Sequence, residues 1–134
     1  MSTADGDPPD DPPDAPRDGG AVTAALDGIR VVDLSQNLAG PYATQILADL
    51  GADVIKVEPP GGDPARAWGP PFVDGESPLF LCCNRNKRSV VLDLTDDAER
   101  DVLRELVRRA DVFVQAFRAG WASTSRPCAR SGRT

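Results

Sequence analysis

Two short β-branched runs with a helix-length segment between them, all within about thirty residues, restrict this chain more than any other feature it has. Ile29-Arg-Val-Val-Asp-Leu34 has the composition of a buried strand, and Asp53-Val-Ile-Lys-Val-Glu58 that of a second. Between them, Pro41-Tyr-Ala-Thr-Gln-Ile-Leu-Ala-Asp-Leu50 reads as a helix closed by Gly51. Proline suits the first helical turn, where its missing N–H would have no intrahelical partner, and glycine suits the left-handed position just past a helix end. Pro59-Pro60-Gly61-Gly62 stops the second strand. A strand, a helix and a strand this close together make a βαβ unit, whose strands are parallel and whose crossover is right-handed. The fold class predicted is therefore α/β, a partial Rossmann-like parallel sheet.

Downstream the same alternation resumes. Ser89-Val-Val-Leu-Asp-Leu94 predicts a third strand, residues 96–109 a helix, and Asp111-Val-Phe-Val-Gln115 a fourth strand. The helix has acids in its first turn (Asp96, Asp97, Glu99), arginines toward its end (Arg104, Arg108, Arg109), and Val102, Leu103, Leu106 and Val107 on one face. Burying those four side chains yields roughly 6–12 kcal/mol gross, at about 1.5–3 each. Ordering the backbone costs at least as much, at about 1–2 kcal/mol per residue, so the helix should exist only when docked on the sheet. From Pro59 to Pro78 the chain is rich in proline and glycine, with Trp68 and Phe72 as large apolar anchors, and reads as one long loop.

The ends differ from this middle. Residues 1–24 hold six aspartates and one arginine, so of the formal net charge of −6 all but −1 lies there. That segment is Asp/Pro/Gly-rich without apolar periodicity and reads as a disordered extension. Residues 25–118 form the α/β region, and residues 119–134 are a patternless, irregular tail with three arginines and no acids. The chain contains no histidine, which excludes imidazole acid/base chemistry and histidine-ligated zinc. Three cysteines, two of them adjacent at Cys82-Cys83, make neither a disulfide framework nor a CxxC metal spacing. No secretory signal and no apolar run of membrane-spanning length is present, and a cytoplasmic setting is expected, with no metal and no membrane. Nucleic-acid binding would need a broad basic field with stacking aromatics, against a negative net charge and 5% aromatic residues.

Two motifs carry possible ligand chemistry. Ala39-Gly40-Pro41 joins the first strand to the first helix, at the end of a parallel sheet where open α/β folds bind ligands. It is either a tight strand-to-helix turn or an anion site at a helix N-terminus. Asn84-Arg-Asn-Lys-Arg88 sets Arg85, Lys87 and Arg88 beside two amides, either as a solvated basic turn or as a phosphate contact. There is no G-x-G-x-x-G and no Walker loop. Cys82 and Cys83, if extended, face opposite sides, with at least one buried as a small apolar residue. Asp33, Asp53, Asp93 and Asp111 stand at strand ends, where capping and turn formation are commoner than catalysis.

Four blocks occur in order: Leu26-Asp-Gly-Ile-Arg-Val-Val-Asp-Leu-Ser, Ala39-Gly-Pro-Tyr-Ala-Thr-Gln, Gly51-Ala-Asp-Val-Ile-Lys-Val-Glu-Pro and Asn84-Arg-Asn-Lys-Arg-Ser. Together they resemble the opening segment of the family III CoA-transferases, the group of formyl-CoA transferase, L-carnitine CoA-transferase and α-methylacyl-CoA racemase. The resemblance implies that coenzyme A or an acyl-CoA is the substrate and a free carboxylic acid the acceptor. It implies further that Leu38 and Ala39 line the adenine pocket, and that Leu92, Asp93, Leu94, Thr95 and Phe117 form other parts of the CoA site. In the family an aspartate attacks the thioester, giving an enzyme-bound anhydride and then an enzyme–CoA thioester. Racemase relatives use a His/Asp relay instead.

The chain also departs from that pattern. Gln115-Ala-Phe-Arg-Ala-Gly120 stands where the family commonly has Glu-Asn-Phe-Arg-Pro-Gly, so Ala116 replaces an amide that contacts CoA. The block with the catalytic aspartate is not found, so no catalytic residue is expected here. The expectation is a truncated, and on its own inactive, N-terminal fragment, with a frameshift near residue 120 as one origin. Family members form interlocked homodimers, which are not expected of such a fragment. The alternatives are a non-catalytic CoA-binding α/β module, a racemase-type fragment and a non-functional product.

Overall fold

The computed structural model describes residues 23–117. The readings for residues 119–134 lie outside them, as does nearly all of the extension proposed for residues 1–24. The elements run β1 (Arg30–Leu34), α1 (Ala39–Asp49), β2 (Asp53–Glu58), a 3-10 turn (Pro64–Ala67), α2 (Pro78–Asn84), β3 (Lys87–Val91), α3 (Asp97–Arg109) and β4 (Val112–Gln115). The four strands form one sheet in the order β3-β2-β1-β4, and all three pairings are parallel. The chain thus winds outward from β1 to β3 and returns across the sheet to place β4 on the other side of β1. That reversal is the doubly wound arrangement, and the crevice between β1 and β4 is its switch point.

Strand alternation sends neighbouring residues to opposite faces. One face carries Val31, Val54 and Val114, which pack with Ala48 and Ala52 and with Leu47 of α1. The other carries Val32, Leu34 and Val57, closed by Leu92 and by Leu103, Leu106 and Val107 of α3. Asp96 caps α3 by accepting from the Ala98 and Glu99 amides, which fixes the start of the helix one residue later than the sequence predicted. Val102, expected on the buried face, is exposed. Leu103, Leu106 and Val107 face inward as expected, joined by Ala110 just past the helix end.

Two other expectations are corrected. The third strand begins at Lys87 rather than Ser89 and ends at Val91 rather than Leu94, so Lys87 and Arg88 belong to the sheet and not to a turn. The predicted loop from Pro59 to Pro78 contains the 3-10 turn and ends in α2, where Cys82 is exposed and Cys83 buried on a helix rather than on an extended segment. Ser77 caps α2 through the Phe80 amide and Pro78 is its first residue, a legible start signal for a helix of seven residues. Gly51 has φ +99°, the left-handed conformation expected of it, and a Cβ there would collide with Ala24.

Candidate functional site at the carboxyl edge of the sheet

Every residue named for CoA binding from the resemblance follows the end of a strand. Leu38 and Ala39 follow β1 and open α1, Leu92–Thr95 follow β3, and Phe117 follows β4. Parallel strands bring these ends to one edge of the molecule, so segments separated by up to eighty residues in sequence share it. Asn37 adopts φ 67° to turn the chain into α1, and the Tyr42 amide donates to the Leu38 carbonyl at 2.8 Å. Leu38 is 45% exposed, α1 receives no side-chain cap, and no acid lies in its first turn. A helix entrance of this kind favours a negative ligand. Gly40 is required there, because a Cβ would run into the Ser35 side chain.

The other segments are held as firmly. Leu92 is buried and its amide donates to the Glu58 carbonyl at 2.9 Å, while Leu94 packs on the α3-side core. Asp93 accepts from the Thr95 amide at 2.9 Å and hydroxyl at 2.7 Å, forming a local turn, and these bonds hold its carboxyl below the usual range. Phe117 rests against the α3-side core, with its amide donating to the Gln115 side chain at 2.7 Å.

The basic cluster does not converge on one point. Arg85 pairs with Asp49 at the end of α1, and Arg88 with Asp53 at the start of β2 at 2.6 Å. Lys87 is inside: its side chain is 1% exposed, and its ammonium donates to Asp33 Oδ2 at 3.0 Å, the Pro41 carbonyl at 2.8 Å and Asn84 Oδ1 at 3.0 Å. Asp33 in turn accepts from the Ser35 amide at 2.9 Å, the Ser35 hydroxyl, and the Thr44 hydroxyl at 2.5 Å. Burial alone would push the Asp33 carboxyl up. The bonds from Ser35 and Thr44, with Lys87 beside it, reverse this and hold it below the ordinary carboxylate value.

A second buried pair adjoins the first. Lys56 donates to the Ser35 carbonyl at 3.0 Å and pairs with Asp63 at 2.7 Å. Asp63 also accepts from the amides of Asn37 at 3.1 Å and Ala65 at 2.9 Å, which ties the turn before α1 to the turn after β2. Glu58 closes the series, accepting two bonds from Arg66 at 2.8 Å, the Ser89 hydroxyl at 2.6 Å and the Asp63 amide at 2.9 Å. Burial would raise its pKa, but these four donors bring it down to about 2. Arg66 also bonds Glu76 and lies 3.9 Å over the Phe80 ring, so the Pro/Gly-rich loop is clamped from three directions. Sequence reasoning missed this network. Its signal was available in Lys56 and Glu58, charged residues inside a run whose parallel-sheet setting demands burial on both faces.

Of the strand-end aspartates, Asp53 pairs Arg88 and Asp111 accepts from the Arg30 amide at 2.9 Å, both structural uses. Burial pushes the Cys83 thiol up, away from thiolate character. A half-open cavity of about 230 Å³ lies at the opposite, amino edge, bordered by Arg30, Ile55, Arg88, Leu106 and Arg109. Of the residues named as candidate contacts it borders only Arg88. Among the described residues, no group of histidine, cysteine or carboxylate side chains is placed to hold a metal, and no helix is long and apolar enough to cross a membrane.

The chain is similar in sequence to several CoA-transferases. It is 51% identical over 96 residues to succinyl-CoA:glutarate CoA-transferase of Mus musculus, covering 71% of this chain and 22% of that protein. It is 55% identical over 101 residues to succinyl-CoA:mesaconate CoA-transferase of Haloarcula hispanica, covering 72% and 25%. Among solved structures, a CAIB/BAIF family protein from Brucella suis superposes with TM-score 0.73 at 47% identity, over 76% of this chain and 28% of that one. The chain therefore spans about a quarter of the length of the curated relatives it matches. The profile of CoA-transferase family III matches residues 26–125, so all of β1 to β4 lies within the match, and this chain belongs to CoA-transferase family III.

Proposed function

We propose that residues 25–118 form the part of a family III CoA-transferase that receives the nucleotide end of coenzyme A, and that the 134 residues by themselves carry out no transfer. The observation that supports this reading best is that Leu38–Ala39, Leu92–Thr95 and Phe117 follow the carboxyl ends of β1, β3 and β4, which lie along one edge of the parallel sheet. In this proposal the adenine lies against Leu38 and Ala39, the phosphates face the α1 entrance, and Leu92–Thr95 with Phe117 complete the wall. This reading gives the phosphates no contact from Arg85 or Arg88, which pair with Asp49 at the end of α1 and Asp53 at the start of β2, away from the α1 entrance. Ala116 offers the ligand a methyl group where the resemblance expects an amide, which lowers affinity.

The reaction proposed for the whole enzyme is movement of CoA from an acyl-CoA to a carboxylic acid. Glutarate, mesaconate and oxalate in the names of the relatives make dicarboxylic acids the first acceptors to assay. In this proposal the thioester exchange belongs to an aspartate block not found in these 134 residues, which also hold no histidine for a racemase relay. Calorimetric titration of the 134-residue chain with CoA tests the binding reading, and no heat at millimolar ligand overturns it. Turnover of succinyl-CoA with glutarate by the same purified chain would overturn the claim of inactivity.

A further inference from the structure

Lys87 is the one member of the basic cluster that the fold encloses. An ammonium has three protons to donate, and at Lys87 all three are directed at protein acceptors: Asp33, the Pro41 carbonyl and Asn84. Asp33 is fully buried and accepts four bonds, the number a carboxylate can take. The pair is closed on itself, with no proton and no lone pair left for a ligand. What it does touch is informative. Asp33 belongs to β1, Ser35 to the turn before α1, Pro41 and Thr44 to α1, Asn84 to α2, and Lys87 to β3. The five segments meet at the two side chains directly beneath the entrance of α1.

We infer that Lys87 is a positioning residue for that entrance, acting through Asp33, rather than a ligand of the CoA phosphates. The lysine neutralises the buried Asp33 carboxylate, and that carboxylate holds Ser35 and Thr44, so the pair sets where Leu38, Ala39 and the first amides of α1 stand. The inference uses the proposed CoA site only for its ligand readout. A phosphate-binding lysine and a positioning lysine differ in one testable respect: removing Asp33 cannot restore a lost phosphate contact, but it can relieve the unpaired buried carboxylate that a lysine substitution creates.

The test compares the parent chain with Asp33→Asn, Lys87→Met and the double variant, by amide hydrogen exchange at Tyr42 and by calorimetric titration with CoA. Lys87→Met should speed exchange at Tyr42 and weaken CoA binding, each by about tenfold or more, and the double variant should return both to within about threefold of the parent. A double variant no better than Lys87→Met, or a Lys87→Met chain that loses CoA affinity with Tyr42 exchange unchanged, overturns the inference. If Lys87→Met fails to fold, the double variant decides: affinity within about threefold of the parent supports positioning, and a loss of about tenfold refutes it. If the parent binds no CoA, the proposed site falls, and the exchange cycle alone still decides the role of Lys87.

Discussion

The two faces of this four-stranded sheet are built on different chemistry. The α3 face is apolar in its buried part, with Val32, Leu34, Val57 and Val90 against Leu103, Leu106 and Val107, and its charged residues Arg30 and Arg88 stand exposed at the amino edge. The α1 face is apolar only in its first half, at Val31 and Val54, and then turns ionic, with Asp33, Lys56, Glu58 and Lys87 buried beneath α1, α2 and the 3-10 turn. An apolar face holds a helix by area and tolerates small slips. A saturated ionic face holds its neighbours at fixed positions, because each group has one arrangement in which its bonds are made. The difference teaches where accuracy is needed: the ionic half lies under the α1 entrance, at the edge where the proposed ligand would sit.

Breaking one member of the ionic face should have the largest effect. Lys56→Met leaves Asp63 buried with its cation gone, and a loss of about 3–5 kcal/mol is expected from the denaturant midpoint. The matched substitution on the other face, Leu103→Ala, opens a cavity under α3 and should cost about 2–4 kcal/mol by the same measurement. If the two losses come out in the reverse order, the ionic face is the softer one and the contrast fails. Gly40→Ala forces the α1 entrance away from Ser35 and should cost about 1–3 kcal/mol, with CoA affinity falling along with stability.

The pH dependence sharpens the same contrast without a mutation at the apolar face. Glu58 has a folded pKa of about 2 against an ordinary 4.5. Its contribution to stability is therefore fully present above pH 4.5 and is lost as pH falls toward 2, because the unfolded chain takes up the proton first. Denaturant midpoints measured between pH 5 and 2 should fall more steeply for the parent than for Glu58→Gln, and equal slopes would remove Glu58 from the account. The smallest effect is expected for Arg88→Ala at the amino edge, where the pair with Asp53 is open to solvent on both sides and contributes about 0–1 kcal/mol.

Much of the fold was legible along the chain. The β-branched runs, Gly51 and the acid-first, arginine-last pattern of α3 each fixed an element, because those signals come from local backbone and helix-terminus energetics. The failures were local too. α2 is only seven residues long and its Ser77-Pro78 start lay inside a Pro/Gly-rich stretch, so its periodicity had no room to appear. β3 was shifted because Lys87 and Arg88 look like surface residues until a buried aspartate is supplied for one of them from fifty-four positions away.

The residues alone determined an α/β chain with parallel strands, four family blocks in order, and a stretch without histidine, since each follows from composition or from interactions within a few residues. Only the tertiary structure decided which charges are interior. Val32 and Asp33 are neighbours in one strand, yet the first meets α3 and the second meets Lys87, because alternation sends them to opposite faces and the fold alone determines what stands on each. Whether a lysine in a basic run is a solvated cation or one half of a buried pair depends on long-range packing, and nothing within a few residues of Lys87 reveals the aspartate it will find.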